Sequence, residues 1–280
     1  MHRLIMRFPE GKIKAFTMSY DDGVIQDVRL MEIMNKNGLR GTFNINSGMF
    51  LPEENKENDT NPYRRLTEKE AEALYKGSGH EVALHTMTHP FLDQMPKERI
   101  ALEVLEDKRR LEKLFGRTVR GMAYPYGSTS DNTIEILKNT GVVYARNIGI
   151  SHSFAIPDNW LRLTATTRNT DPELMEVTEK FLETPNEFSK PMLFYMWGHS
   201  WEFARDDSWD KMKRFAETMG GRDDIWYATN IEIFDYISAY RSLRFNVDME
   251  FVENPTATDV YFMWHGKIFC VKGGESIELR

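Results

Sequence analysis

A single cysteine, Cys270, occurs in the 280 residues. It excludes an intrachain disulfide and a cysteine-based zinc knuckle, so any bound metal must be held by histidine and carboxylate, and the seven histidines become informative. Long apolar runs are also missing. The longest candidate, Pro191 to Trp197, falls far short of the roughly 20 apolar residues that a membrane span needs. The segment Met1 to Pro9 has neither the apolar stretch nor the small-residue cleavage site of an export signal, which makes the cytoplasm the expected compartment. Positive charge is in deficit: 36 Lys+Arg stand against 43 Asp+Glu, a formal charge of -7. That balance argues against a nucleic acid or an anionic membrane as partner, since both need clustered Lys and Arg. The one basic cluster, Lys108-Arg109-Arg110, lies inside a charge-mixed helical pattern and reads as a solvated helix face.

What is present is the composition of a soluble globular protein, 41% hydrophobic and 28% charged, long enough for one or two domains. Strand-like runs alternate with helical ones. Ile13 to Tyr20 is apolar and β-prone, Val24 to Lys36 has Ile25, Val28 and Met31 at helical spacing before Gly38, and Arg40 to Asn46 is again strand-like. Residues 51–65 show no periodicity and read as a long loop, a type often used as a functional lid. Thr67-Glu68-Lys69-Glu70 is a capping box opening a helix that ends near Gly77. The pattern then predicts strands at 81–84, 119–124, 142–146, 192–197 and 225–228, with helices at 96–115, 131–140, 171–183, 209–219 and 231–240. About seven βα units in series imply an α/β fold with a parallel sheet, and at this length a barrel is expected over an open sheet. After Arg241 the texture changes to short strands separated by Asn254-Pro255, His265-Gly266-Lys267 and Gly273-Gly274. The expected organisation is a (β/α) barrel over residues 1–242 with a small antiparallel β appendage, 243–280, packed on it.

Parallel α/β folds build their sites at the carboxyl ends of the strands. Here those ends carry Asp21-Asp22-Gly23, His85 to His89, Pro125-Tyr126-Gly127, Arg146 and Gly198-His199. Five strand ends face one mouth, and their convergence carries more weight than any single motif. Asp21-Asp22-Gly23 alone can be a polar turn whose aspartate caps the next helix. Alternatively, the adjacent aspartates leave the strand in different directions and serve as one metal ligand and one general base. His85 and His89 stand at i, i+4, so a helical turn there brings both imidazoles to one face, where with an Asp they make a two-His, one-carboxylate set. His80 to His85 nearly reproduces the H-E-x-x-H motif, but the second His is one residue too far along a β-prone segment, which rules that reading out.

Ser19-Tyr20-Asp21-Asp22-Gly23, then His85-Thr86 with His89, then Tyr124-Pro125-Tyr126-Gly127 and a late strand ending in His199 resemble, in this order, the polysaccharide deacetylase family with the NodB homology domain, carbohydrate esterase family 4. The resemblance implies a distorted (β/α) barrel that removes acetyl groups from N-acetylated sugars or from acetylated xylan. It implies Asp21 as general base, and Asp22, His85 and His89 as ligands of one divalent metal ion, usually zinc, with cobalt, nickel or manganese as alternatives. It further implies the backbone N–H of Tyr126 as an oxyanion donor, Pro125 beside it on the substrate side, and His199 as the acid that protonates the leaving group. The residue types suit this chemistry independently. Three protein ligands leave room for water and the substrate carbonyl, and an amine leaves poorly unless a group such as histidine protonates it.

Several positions depart from the family pattern. The proline motif normally opens with an Arg that pairs with the catalytic Asp, and here Ala123 stands there, with Arg120 too early on the strand. Arg146 is the candidate replacement, set against an ordinary surface ion pair. The Asp-x-x-Asp-Trp element survives only as Asp158-Asn159-Trp160, and Trp197 occupies a position where a Leu lines the acetyl pocket in many members. Glu202 can orient His199, although a solvated Glu is the commoner fate of such a residue. Trp201 and Trp160 can stack on pyranose faces.

The expected function is therefore a metal-dependent carbohydrate deacetylase acting on N-acetyl or O-acetyl groups of sugars or oligosaccharides. Two alternatives stay open. One is a catalytically silent carbohydrate-binding protein on the same barrel, which the missing Arg makes conceivable and which Asp21 and His199 weigh against, because binding needs neither. The other is a hydrolase of different C–N bonds, such as those of cyclic amides. Without an export signal, small intracellular substrates are favoured over cell-wall polymer.

Overall fold

A computed structural model describes residues 4–185 and 190–279, so the first three residues of the N-terminal segment lie outside it. In chain order the first half contains β1 (Ile5–Arg7), β2 (Lys14–Asp21), α1 (Asp27–Lys36), β3 (Gly41–Ile45), α2 (Glu68–Tyr75), β4 (Glu81–Leu84), α3 (Lys97–Phe115), β5 (Gly121–Ala123) and α4 (Asp131–Asn139). The barrel continues with β6 (Tyr144–Ile150), β7 (Leu163–Ala165), β8 (Thr167–Arg168), α5 (Leu174–Glu183), β9 (Met192–Gly198), α6 (Ser200–Arg205), α7 (Trp209–Met219), β10 (Ile225–Tyr227) and α8 (Asn230–Arg241). Five short strands follow: β11 (Arg244–Phe245), β12 (Phe251–Glu253), β13 (Val260–Trp264), β14 (Lys267–Val271) and β15 (Ser276–Glu278). No helix among the described residues is long and apolar enough to cross a membrane.

The parallel strands neighbour one another in the order β7, β6, β5, β4, β3, β2, β9, β8. The two ends of that series are one stretch of chain. Leu163 and Ala165 pair with β6, whereas Thr167 and Arg168 pair with β9, and the Thr166 N–H between them donates to Tyr195 O at 2.8 Å. Residues 163–168 thus close the sheet into a barrel. Their sequence, Leu-Thr-Ala-Thr-Thr-Arg, alternates over too few residues to stand out as a strand, and sequence periodicity misses it. The barrel is distorted at β2, which is flanked by β10 along Lys14 to Phe16 and by β3 along Met18 to Asp21 on the same side.

Side-chain alternation along each strand divides the interior into two layers. On β2, Phe16, Met18 and Tyr20 enter the large apolar cluster shared with the helices, while Thr17, Ser19 and Asp21 turn to the lumen and meet Asn230, Asn44 and Arg146 there. Phe43 and Ile45 of β3, Val82 and Leu84 of β4, and Phe194 and Met196 of β9 join the outer cluster in the same way. The lumen is polar at its C-terminal end, where His85, Arg146 and His199 surround Asp21; Arg146 lies within β6, which runs on to Ile150, and not at its end as the sequence suggested.

The C-terminal strands form two small antiparallel sheets, β11-β12-β15 and β13-β14, and β1 from the N-terminus completes the second by pairing with β13. Val252, Phe262, Val271 and Leu279 make a separate small core there. The first stretch of this region, 243–253, is two strands around a turn. The Asn246 side chain accepts from the N–H of Glu250 and of Phe251 and turns the chain back on itself.

Candidate active site

Asp21 ends β2 buried in the lumen, and Asp22 follows with a left-handed backbone, φ 90. Thr86, His89 and Tyr126 share that unusual region, with φ 65, 58 and 57. Four of the nine non-glycine residues with positive φ among the described residues therefore sit at this rim. Each such residue costs on the order of 1–3 kcal/mol and persists only where its surroundings hold it.

For the histidine turn the holding groups are identifiable. The turn is not helical, contrary to the condition read from the i, i+4 spacing; the left-handed residues at 86 and 89 bend it instead. Two acidic residues one turn apart on α3 brace it. Glu103 accepts from Thr88 N and Thr88 Oγ1, both at 2.8 Å, and Asp107 accepts from His85 N at 3.1 Å and from Ser47 N and Oγ at 2.8 and 2.6 Å. Asn46 on the other side donates to the carbonyls of His85 and Thr86. Burial pushes Asp107 up to about 7 despite these donors. The sequence signal for it was a carboxylate at an apolar-face position of α3, in line with Ile100, Val104 and Leu111.

The result is that ligand atoms of Asp22, His85 and His89 all lie within 4.8 Å of one another. His85 Nδ1 bonds to Ala123 O at 2.8 Å, which leaves Nε2 as the free ring nitrogen. His89 Nε2 is 3.9 Å from Asp22 Oδ1. Burial lowers the pKa of both imidazoles, His89 to about 4, which keeps them in the neutral form that ligates metals. Asp22 Oδ1 is buried and accepts no well-directed hydrogen bond. Two neutral imidazoles and one carboxylate converging in this way fit a divalent cation.

Asp21 faces Arg146 across the lumen. One guanidinium nitrogen, Nη2, lies 2.5 Å from both carboxylate oxygens, and Asn44 Nδ2 donates to Oδ1 at 2.9 Å. Burial alone would raise the Asp21 pKa, but Arg146, followed by His85 and His199, holds it below the usual carboxylate value. Arg146 is fully buried at 0% exposure and pairs in register with Ala123 of the neighbouring strand. The cation thus sits at the height of Ala123, one strand over.

His199 follows β9, the strand paired with β2, with Nε2 4.0 Å from Asp21 Oδ2 and 3.9 Å from Asp22 Oδ2. Glu202 is buried rather than solvated: its Oε2 lies 3.5 Å from His199 Nδ1 and its Oε1 accepts from Arg168 at 2.7 Å. Burial pulls the His199 pKa down, and Glu202, Asp21 and Asp22 together raise it above the ordinary histidine value. Trp197 is buried between two guanidiniums, Arg146 at 4.4 Å and Arg168 at 4.8 Å from its ring. Trp201 donates its indole N–H to Asp22 Oδ2 at 3.2 Å, with Arg205 over its ring at 4.9 Å. Pro125 is buried and Tyr126 beside it stands half exposed. Trp160 is away from this group, edge-on to Phe234 at 5.1 Å in the barrel's second apolar cluster.

Arg65, from the end of the long loop, is a further residue at the site that sequence reasoning did not find, as are Glu103, Asp107 and Arg168. Its Nη2 lies 2.9 Å from Asp22 Oδ1, and Nη1 donates to the Asp22 carbonyl and to Asn46 Oδ1. With burial opposing them, Arg65 and then the three histidines hold Asp22 far below the usual carboxylate range. The loop is zipped onto the rim through Ile25 N to Arg64 O at 3.0 Å and Leu66 N to Gly23 O at 2.9 Å.

Comparison with known proteins points to one family. The sequence profile of the polysaccharide deacetylase family matches residues 9–145. A chitooligosaccharide deacetylase of Sinorhizobium fredii is 34% identical over 85 residues, which is 30% of this chain and 37% of that relative, so little more than a third of the relative's length is matched. Among solved structures, a polysaccharide deacetylase from Mycobacterium smegmatis, described as putative, superposes with a TM-score of 0.59 at 14% identity, covering 86% of this chain and 96% of that one. A CE4 family pseudoenzyme from Bacillus anthracis reaches 0.50 at 17% identity, covering 82% and 68%. At such identities the structures speak for the fold, and the sequence match over the motif-bearing half identifies the chain as a relative of the polysaccharide deacetylase family.

Proposed function

We propose that this chain is a metal-dependent deacetylase of sugars carrying N-acetyl or O-acetyl groups, its reaction assigned to the barrel, residues 1–242. One arrangement carries the reading: the Asp22, His85 and His89 ligand atoms converge within 4.8 Å, and a carboxylate and an imidazole able to move protons, Asp21 and His199, stand beside them. A binding site alone has no use for that pair. Zinc suits two imidazoles and one carboxylate, with cobalt, nickel and manganese as alternatives. A divalent ion held there would act as Lewis acid and bring the pKa of a water toward about 7.

The chain's own groups would do the rest. Asp21, kept ionised by Arg146, accepts the proton of the attacking water. His199, raised by Glu202 and the two aspartates, stays protonated long enough to donate to the departing nitrogen. The Tyr126 N–H is assigned to the carbonyl oxygen as it becomes negative. Pro125, Trp197 and Trp201 are assigned to the substrate side, Trp201 also holding Asp22 in place. Metal analysis combined with acetate release from N-acetylglucosamine, its oligomers and acetylated xylan tests the reading. Acetate release that a chelator abolishes and metal restores supports it. Sugar binding without acetate release under any metal would replace it with the silent binding protein.

A further inference from the structure

The residue after His85 carries three costs at once. Thr86 is fully buried, its β-branched side chain stands on a left-handed backbone at φ 65, and its Oγ1 has no hydrogen-bond partner among the described residues. His89, at the other end of the turn, is left-handed as well, at φ 58. A free chain would leave this conformation, and the two imidazoles would part.

What opposes relaxation grips the backbone of the turn rather than the imidazole rings. Each oxygen of Asp107 accepts from a backbone N–H, Oδ2 from His85 at 3.1 Å and Oδ1 from Ser47 at 2.8 Å. Glu103 Oε2 accepts from Thr88 N and Oε1 from Thr88 Oγ1, both at 2.8 Å, while the Glu103 carbonyl accepts from Met87 N at 3.1 Å. Gly48 closes a further side: a Cβ there would stand 2.4 Å from Met87 O, so the turn is packed against bare backbone. Both acids are buried, Asp107 at 0% and Glu103 at 5% exposure. The helix α3 thus grips the turn through two side chains, neither of which belongs to the proposed ligand set.

Resting on the metal-dependent reading, we propose that Asp107 and Glu103 are positioning residues for the metal: by holding a strained backbone through hydrogen bonds, they set the affinity of Asp22, His85 and His89 for a divalent ion before the ion arrives. A site that is competent only part of the time binds more weakly by that fraction. Partners outside the ligand set are typically worth about 10- to 100-fold in metal affinity.

The bonding pattern predicts opposite outcomes for two isosteric changes. Glu103→Gln can keep both side-chain bonds, its amide oxygen accepting from Thr88 N and its amide N–H donating to Thr88 Oγ1. In Asp107→Asn, either orientation of the amide sets an NH2 group against a backbone N–H, that of His85 or that of Ser47. Zinc affinity of the ion-free proteins, measured by competition with a chelating dye, should stay near the parent's in Glu103→Gln and fall about 10- to 100-fold in Asp107→Asn and in Glu103→Ala. Thr86→Gly added to Asp107→Asn should recover most of the loss, because glycine takes the left-handed conformation without strain. Unfolding midpoints of the ion-free variants separate weakened binding from a lost fold, and Glu103→Ala, whose partner Thr88 is exposed, decides the matter should Asp107→Asn not fold. Equal losses in Glu103→Gln and Asp107→Asn would put charge in place of hydrogen bonding, and parental affinity in folded Asp107→Asn or Glu103→Ala would leave the acids a purely structural part; either result overturns the proposal while the metal site stands. A parent that takes up no zinc, cobalt, nickel or manganese overturns the metal-dependent reading and this proposal together.

Discussion

The guanidinium of Arg146 reaches both oxygens of Asp21 at 2.5 Å across the barrel lumen, from a strand whose neighbour carries Ala123 in the matching register. Arg146 and Ala123 thus stand at equal height on adjacent parallel strands, from which Arg146 reaches the aspartate across the lumen. The pairing matters for protonation: with Arg146 beside it the buried carboxyl stays ionised, and without it burial would favour the neutral acid.

Arg146→Met should therefore raise the Asp21 pKa, and activity that depends on the ionised base should appear at higher pH. The pH dependence of acetate release checks it. An unchanged profile with activity intact would leave Arg146 without a part in the reaction.

Metal content gives a second expectation. The purified chain should hold about one divalent ion, and Asp22→Ala or His89→Ala should empty the site, since each removes one of three protein ligands. Elemental analysis of dialysed protein decides this, and full occupancy in His89→Ala would mean that the ligand set is wrong.

The two adjacent aspartates should separate in their effects. Asp21→Asn should keep the metal while turnover falls about 10²- to 10⁴-fold, the usual range for loss of a general base. His199→Ala should fall comparably on an N-acetylated sugar and less on an activated aryl acetate, whose leaving group needs no proton. Parental turnover in Asp21→Asn would remove the base assignment.

Asp27 offers a test through stability. It is buried between Tyr75 Oη at 2.6 Å and Ser200 Oγ, and burial raises its pKa from 3.8 to about 7. A raised carboxyl binds its proton more tightly folded than unfolded, so stability falls as pH rises between those two values and levels off above the folded one. Asp27→Asn should reduce that fall. Urea midpoints at about pH 5 and about pH 8 measure it, and an identical difference in parent and variant would show that Asp27 does not titrate as described.

Much of the barrel could be read from local pattern. The strand at Glu81–Leu84 and the helix at Trp209–Met219 have the expected bounds; the helix is amphipathic and stopped by Gly220, and the strand is a short buried run entered from Gly79. The strand at 163–168 escaped because its burial comes from two different neighbours, each contacting only part of it.

By itself the sequence determined the strand–helix alternation and the polar residues at each strand end, because periodicity and turn chemistry act over a few residues. Which of those residues meet was decided by tertiary structure alone. The left-handed histidine turn depends on Glu103 and Asp107 from a helix 15 or more positions later. Glu202 is buried because Arg168, 34 residues earlier, reaches it from the neighbouring strand. Arg65 meets Asp22 only because its loop is bonded along the rim. In each case a charge is held by partners that register and barrel closure bring into reach, and neither is encoded at the position itself.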